Sequence, residues 1–341
     1  MEQIGLVVLR SEETMIIRVL EPPAGEDAER LERFLEHKGD CTLRDIRQRL
    51  RGDYADVCSD RFFVGEIGGR VVSQMWYTLP RALPDFGVFG HVYTEPEHRG
   101  KGAASALMAV LMDDFHAGPG QALFCSVGDR DAQRIYARHG FVPLRLERAP
   151  LGPQAYIRPE VAADFAALQS IVFAPGRPTR TRPADMADRA RIDKLLHQAD
   201  ALRAMPRHPQ RMHLAARYPD FVPIYQAVED RLGVCVALEA EGGHVVGYAF
   251  ALAAGSECER GAKTLDFLVH PAYADRTAQL ISATVDAAVA TGAMSVRCWL
   301  AAVDEARIAA VQAAGGVREH VFADYCVVDG VATDMLTYRL A

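Results

Sequence analysis

The sequence predicts a mixed α/β chain (α+β mixed sheets) made of two tandem copies of one strand–helix unit. Three observations lead there. The chain has 341 residues, roughly twice a usual single-domain length. Both halves interleave β-rich runs with segments of helical periodicity. The order of those segments in the first half then returns in the second, which argues for an internal duplication.

The first copy opens with a strand over Met15–Leu20. Asp27–Glu36 follows with apolar residues at helical spacing and acids in its first turn, and Leu43–Leu50 reads as a second short helix. Arg61–Ile67 and Val71–Thr78 are strands joined at Gly68-Gly69, a hairpin signal. Phe86–Thr94 is a strand. Ala103–Phe115 is a helix with Leu107, Val110, Leu111 and Phe115 on one face. Ala122–Val127 (strand), Asp131–Arg138 (helix) and Phe141–Leu146 (strand) complete the unit.

The second copy runs Arg191–Leu202 and Arg211–Asp230 as helices, then strands Val234–Glu239 and Val245–Leu252 around Gly242-Gly243. Leu265–Val269 is a strand, Arg276–Ala290 a long helix, Ser295–Leu300 a strand, Glu305–Ala314 a helix, and the tail to Leu340 is strand-like. Both copies place an acid and a Gly-Gly turn between β-rich runs. Both then read strand, x-Pro, helix, strand, helix, Gly. The boundary falls near Pro150–Pro153, giving domains 1–150 and 151–341, and Ala174–Pro183 reads as a loop or an inserted connection.

Composition narrows the function. Hydrophobic residues are 50% and charged residues 24%, which is ordinary globular composition. A net charge of -7 argues against a general nucleic-acid binder. The seven cysteines are odd in number and contain no CxxC pair, so reduced thiols in a cytoplasmic protein are expected, with neither a disulfide framework nor a metal site. The N-terminus lacks the pattern of a signal peptide, and no apolar run is long enough to span a membrane.

One stretch carries chemistry: Val92-Tyr93-Thr94-Glu95-Pro96-Glu97-His98-Arg99-Gly100-Lys101-Gly102-Ala103-Ala104. A strand ends at Thr94, Pro96 stops the ladder, and a glycine-rich turn opens a helix. Glycines there permit positive φ and close backbone approach. The exposed amides and the helix dipole make an anion site fit for a pyrophosphate. Taken alone, the glycines are equally a turn without a ligand.

The whole pattern resembles the first motif of the GNAT acyltransferase superfamily, V-x-P-x-x-R-G-x-G-x-[GA], with Thr94 in place of the usual Val. Asp131-Ala132-Gln133-Arg134-Ile135-Tyr136-Ala137-Arg138-His139-Gly140-Phe141 resembles that family's second signature, A-x-x-x-Y-x-x-x-G-F, and arrives one strand later as in the family. The similarity covers about residues 15 to 148. It implies a splayed mixed sheet with acyl-CoA, here acetyl-CoA, wedged between Phe86–Thr94 and Ala122–Val127. By that resemblance the backbone of Val92, Tyr93 and Thr94 holds the pantetheine and thioester, with donors aimed at the thioester oxygen. Arg99, Gly100, Lys101, Gly102, Ala103 and Ala104 hold the pyrophosphate. Tyr136 matches the tyrosine that protonates the departing thiolate.

The proton acceptor is less specified. An amine with a pKa near 10.4 must lose a proton, and His91 is suited to accept it directly or through water. It lies where these enzymes often carry Glu, although its strand parity also allows a core-facing side chain. Glu95, beside the turn, and Glu66, on the central hairpin, are weaker candidates.

The second copy reads as emptied. Aligning Val269-His270-Pro271 with Thr94-Glu95-Pro96 sets Ala274-Asp275-Arg276-Thr277-Ala278 over Arg99-Gly100-Lys101-Gly102-Ala103, so both glycines are gone and a carboxylate stands at the phosphate turn. Val311 falls where Tyr136 stands. Four roles stay open for it: capping the acceptor pocket, forming a homodimer, stabilising the first copy, or a second activity with different chemistry. The expected activity is acetyl transfer to an amine, by direct attack in a ternary complex. The partner is a small-molecule amine acceptor rather than nucleic acid or membrane. Two alternatives stay open: a non-catalytic acyl-CoA sensor or scaffold, and decarboxylation of an acyl-CoA such as malonyl-CoA, with His91 and Thr94 as the residues concerned.

Overall fold

The computed structural model describes residues 1–144, 153–196, 221–253, 261–328 and 330–341. Parts of several predicted segments lie outside the described residues: 145–146 of the strand over Phe141–Leu146, 150–152 of the boundary, 197–202 and 211–220 of two helices, and Cys258. The chain divides into two compact units, Met1–Leu168 and Gln169–Ala341.

The first unit is an eight-stranded sheet in the order β1-β2-β3-β4-β5-β6-β8-β7. Its strands are β1 Glu2–Val8, β2 Thr14–Leu20, β3 Cys58–Ile67, β4 Arg70–Pro80, β5 Phe86–Thr94, β6 Ala122–Cys125, β7 Val142–Pro143 and β8 Gln154–Ile157. Every neighbour is antiparallel except β5 and β6. Its helices are α1 Asp27–Phe34, α2 Asp40–Arg51, α3 Ala103–Ala117 and α4 Arg130–Arg138, and α5 Phe165–Val172 spans the division between Leu168 and Gln169. The first unit extends past the sequence boundary at 150 because β8 pairs with β6 and completes the first sheet. The added strand β1 and helix α5 carry no motif, and the sequence reading does not contain them.

β4 lies between β3 and β5 and is buried along its whole length after Arg70. Met75, Tyr77 and Leu79 turn to the apolar side, where α3 inserts Leu107, Met108, Leu111, Met112 and Phe115. Trp76 turns to the other side, which holds charge. There Arg49 of α2 is fully buried. Its Nε donates to Asp45 at 2.9 Å and its Nη1 to Asp60 at 2.8 Å, while the Trp76 indole also donates to Asp60 at 2.8 Å. The guanidinium stacks 4.7 Å above the Trp76 ring.

The second unit repeats the order and the directions. Its strands are β9 Thr179–Pro183, β10 Gly233–Ala240, β11 His244–Ala253, β12 Ala262–Val269, β13 Ser295–Ala301, β14 Val317–Val328 and β15 Val331–Arg339. They form the sheet β14-β15-β13-β12-β11-β10-β9. Again all neighbours are antiparallel except one pair, β12 and β13. Read from β2 onward, the first sheet has the same strand sequence and the same single parallel pair. The helices are α6 Arg189–Leu196, α7 Phe221–Glu229, α8 Thr277–Ala290 and α9 Glu305–Ala313. Part of the segment predicted as a loop is therefore strand β9: its Arg180 and Arg182 both pair with Glu239 of β10, which fixes the edge. No disulfide joins the described cysteines, and among the described residues no helix is long and apolar enough to cross a membrane.

Replacing Arg49 by Met leaves two buried carboxylates without their cation. The expected result is a loss of about 3–5 kcal/mol of stability. Urea unfolding checks it, since the two tryptophans, Trp76 and Trp299, report one unit each.

Candidate active site in the first unit

The site is opened by an irregularity in β5. Gln74 pairs with Tyr93 and Trp76 pairs with Gly90, so Met75 alone faces both His91 and Val92. This is a β-bulge, and His91 sits in the left-handed region at φ 52°. A bulge bends its strand, raises the local twist and re-aims a side chain. The neighbouring parallel strand follows only as far as Phe86–Ala122, Gly87–Leu123 and Val88–Phe124. Beyond Val88 the two strands part. Predicted strand residues Ser126 and Val127 accordingly leave the sheet and become a wall of the gap.

The result is a cleft of about 750 Å³. The bulged stretch Phe89–Thr94 forms one wall, Cys125–Asp129 with α4 the other, and the glycine turn before α3 closes one end. In that turn Gly100 and Gly102 have φ of 73° and 99°. A Cβ at either would meet nothing within 4 Å, so the space in front of the turn is open. No side chain caps α3, and the first-turn amides remain available to an anion.

The side chains of the turn brace it. The Arg99 Nε donates to the Thr94 carbonyl at 3.0 Å, and its guanidinium lies 5.8 Å from the Tyr93 ring. Lys101 turns away to Glu13 in the β1–β2 turn at 3.0 Å, and Arg10 of that turn donates its backbone amide to the Lys101 carbonyl. Ser11 and Lys101 hold the Glu13 carboxyl below its ordinary range. Of the residues the sequence singled out, Tyr136, His91, Val92, Tyr93, Thr94, Arg99, Gly100, Gly102, Ala103 and Ala104 line the cleft, and Lys101 does not.

Tyr136 is buried, with its ring edge-on to Phe89 at 5.0 Å and 5.8 Å from Phe141. Desolvation raises its pKa above the ordinary phenol value, so the hydroxyl stays protonated at neutral pH. His91 turns to the charged side of the sheet. Its ring lies 4.5 Å from Trp76, and its Nε2 lies 3.5 Å from the Asp45 carboxylate. Glu66 is locked between Arg18 and Arg30, both at 2.8 Å, and is absent from the cleft wall. Glu95 pairs with Arg70 at 3.4 Å. Glu95, Glu97 and His98 bring ligand-type atoms within 4.8 Å of one another. The Thr94 hydroxyl is held by Ser73 at 2.8 Å. Cys125 lines the cleft, but burial pushes its thiol up to about 12.

Sequence reasoning missed Lys38, Arg10, Asp45 and Asp129. Only Asp129 left a local signal, since an Asp before a helix is a capping residue. Its side chain accepts from the Asp131 and Ala132 amides at 2.9 and 2.8 Å.

In the second unit the same positions are built differently. β11 and β12 pair without interruption from Gly247–Val269 to Ala253–Lys263, so there is no bulge. Pro271–Arg276 is a 3-10 segment, and the residue before α8, Arg276, is right-handed at φ -94°. Asp275 pairs with it at 3.2 Å. His270 stacks on Phe173 with centroids 4.0 Å apart, and burial with Lys194 nearby lowers its pKa to about 4. Asp304 caps α9 as Asp129 caps α4. Three residues after each cap stand Arg307 and Ala132. Ala132 lines the cleft, whereas Arg307 is buried and ion-paired to Asp266 of β12. Val311 is fully buried.

Residues 58–143 match the family model of the acetyltransferase (GNAT) domain. The first unit carries a GNAT acetyltransferase domain. No curated protein sequence matches the chain. Among solved structures, the chain is similar to a ribosomal-protein-alanine N-acetyltransferase from Brucella melitensis, at 19% identity over 47% of this chain and 98% of that one, with a TM-score of 0.39. A GNAT superfamily phosphinothricin acetyltransferase from Sinorhizobium meliloti in complex with AcCoA gives 18%, 47%, 86% and 0.39. An N-acetyltransferase from Staphylococcus aureus Mu50 gives 16%, 48%, 98% and 0.39.

Gly102→Asp brings a side chain into a positive-φ position and a carboxylate into the anion site. CoA binding is expected to vanish in calorimetry, with a loss of about 1–3 kcal/mol of stability from the strained backbone, checked by urea unfolding.

Proposed function

We propose that the first unit transfers an acetyl group from acetyl-CoA to the amine of a small molecule by direct attack in a ternary complex. The observation that carries this reading is the splayed cleft ending on an open, left-handed glycine turn at an uncapped helix N-terminus. The residues fit the group. Amides of Arg99 to Ala104 suit a pyrophosphate, and the edge of Phe89–Thr94 that no strand covers suits the amide-bearing pantetheine arm. Acetyl-CoA supplies the activated acyl group.

The remaining chemistry belongs to side chains. His91 takes the proton of the acceptor amine, directly or through one water, and the Asp45 carboxylate beside it keeps the imidazole oriented. Tyr136, held protonated by burial, gives its proton to the departing thiolate.

The second unit is read as a copy of the same fold that does not transfer acyl groups and serves structure or acceptor selection. Its support is threefold: the continuous β11–β12 ladder, the right-handed turn with Asp275, and the buried Arg307–Asp266 pair at the position equivalent to the cleft.

Tyr136→Phe keeps the ring and removes the acid. Turnover is expected to fall roughly 10²–10⁴-fold with acetyl-CoA affinity unchanged, measured as thiol release against an amine panel. Unchanged turnover would remove Tyr136 from the mechanism. The full-length double variant Gly102→Asp, Tyr136→Phe is expected to show no transfer, and near wild-type activity in it would make the second unit catalytic.

A further inference from the structure

Lys38 stands in the loop between α1 and α2, is half-buried, and lines the cleft at the β5 bulge. Its ammonium donates to the Val92 carbonyl at 3.2 Å. Among the described residues it has no other hydrogen-bond partner and no carboxylate within 4 Å. The other cations of the cleft are in a different position. Arg134 is paired with Asp131, and Arg99, which also donates only to a backbone carbonyl, is exposed to water, as are Arg10 and Arg138. Lys38 is therefore the cation of this wall that is partly stripped of water without a counter-ion. Desolvation lowers its pKa, the sign expected for an ammonium that lacks an anionic partner.

An ammonium has three donors, and one backbone carbonyl occupies a single donor. The other two have no protein acceptor at the bulge, the place where the acyl-CoA reading puts the reacting thioester. A neutral ligand would leave that charge uncompensated, whereas a carboxylate would accept charge-assisted hydrogen bonds from it. We propose that Lys38 anchors a carboxylate presented beside the thioester, so that one of the two substrates of this site carries an acid group. The carboxylate has two possible carriers: the acceptor, as in an amino acid, or the acyl chain, as in a dicarboxylic acyl-CoA. The inference rests on the acyl-CoA reading above.

The test uses the full chain as wild type, Lys38→Met and Lys38→Arg. In one arm, calorimetry compares malonyl-CoA and succinyl-CoA with acetyl-CoA and butyryl-CoA. In the other, thiol release from acetyl-CoA is compared between the protein amino acids and their decarboxylated amines. Wild type is expected to favour the carboxylate-bearing member in one arm by about ten- to a hundred-fold, the effect of a charge-assisted hydrogen bond. Lys38→Met should erase that preference and Lys38→Arg should keep most of it, with acetyl-CoA affinity the same in all three. The arm that shows the preference identifies the carrier. The proposal is overturned if wild type shows no preference in either arm, or if the preference survives in Lys38→Met. It is also overturned if Lys38→Met slows neutral and acidic substrates alike, which would make Lys38 a general electrostatic or structural group. Failure of acetyl-CoA itself to bind wild type would instead refute the acyl-CoA reading.

Discussion

Everything at the site depends on the parting of β5 from β6 after Val88. Three residue pairs of parallel ladder hold the strands together, and then a two-for-one bulge at His91 and Val92 bends β5 away. Without that parting, Phe89–Thr94 would spend their backbone groups on a neighbouring strand. With it, those groups face a cleft, and the chain must cross back through the glycine turn to start α3. Holding a histidine at positive φ costs of order 1–3 kcal/mol. Its surroundings enforce it: Trp76 against the ring, Asp45 against Nε2, and Arg49 behind the Asp45 and Asp60 carboxylates.

The buried charges have a structural logic that differs between the units. In the first unit, Arg49 sits between Asp45 and Asp60, and the group stands on the sheet face toward which His91 turns. A buried ion pair is weak evidence for stability by itself, because desolvation offsets most of the attraction. Its geometric effect is firmer, since breaking one member strands the others. In the second unit a buried pair, Arg307 with Asp266, links α9 to the uninterrupted strand β12. There a charge pair stands where the first unit sets the Tyr136 ring of α4 against Phe89 of β5. One topology thus carries two versions of a splayed sheet, since β12 and β13 also part after Leu265–Cys298, and the difference lies in a bulge, two glycines and one arginine.

Much of this was legible in the sequence, and unevenly. The Gly100–Gly102 turn and the α3 stripe of Leu107, Leu111 and Phe115 are local patterns, and their geometry follows from glycine sterics and helical periodicity. Tyr136 could be placed because its spacing to Gly140-Phe141 is local too. The bulge was not legible, since His91 is a non-glycine residue at positive φ and only its cross-strand partners reveal the extra residue. Lys38 and Asp45 were invisible for a related reason: they reach β5 from 54 and 46 residues away, which no short motif records. Strand β9 was misread as loop because its Arg and Pro content resembles a linker, whereas Glu239 on β10 pairs with both arginines. The register repeat of the two sheets confirms the duplicated element order that the glycine hairpins suggested.

On the proposed function, one cleft, and not its counterpart, takes acyl-CoA through backbone amides. Amide hydrogen exchange on the full chain, with and without saturating CoA, tests it most directly. Slowed exchange is expected over 89–94 and 99–104, with no change over 264–278. Protection confined to 264–278, equal protection in both places, or none in either would contradict it.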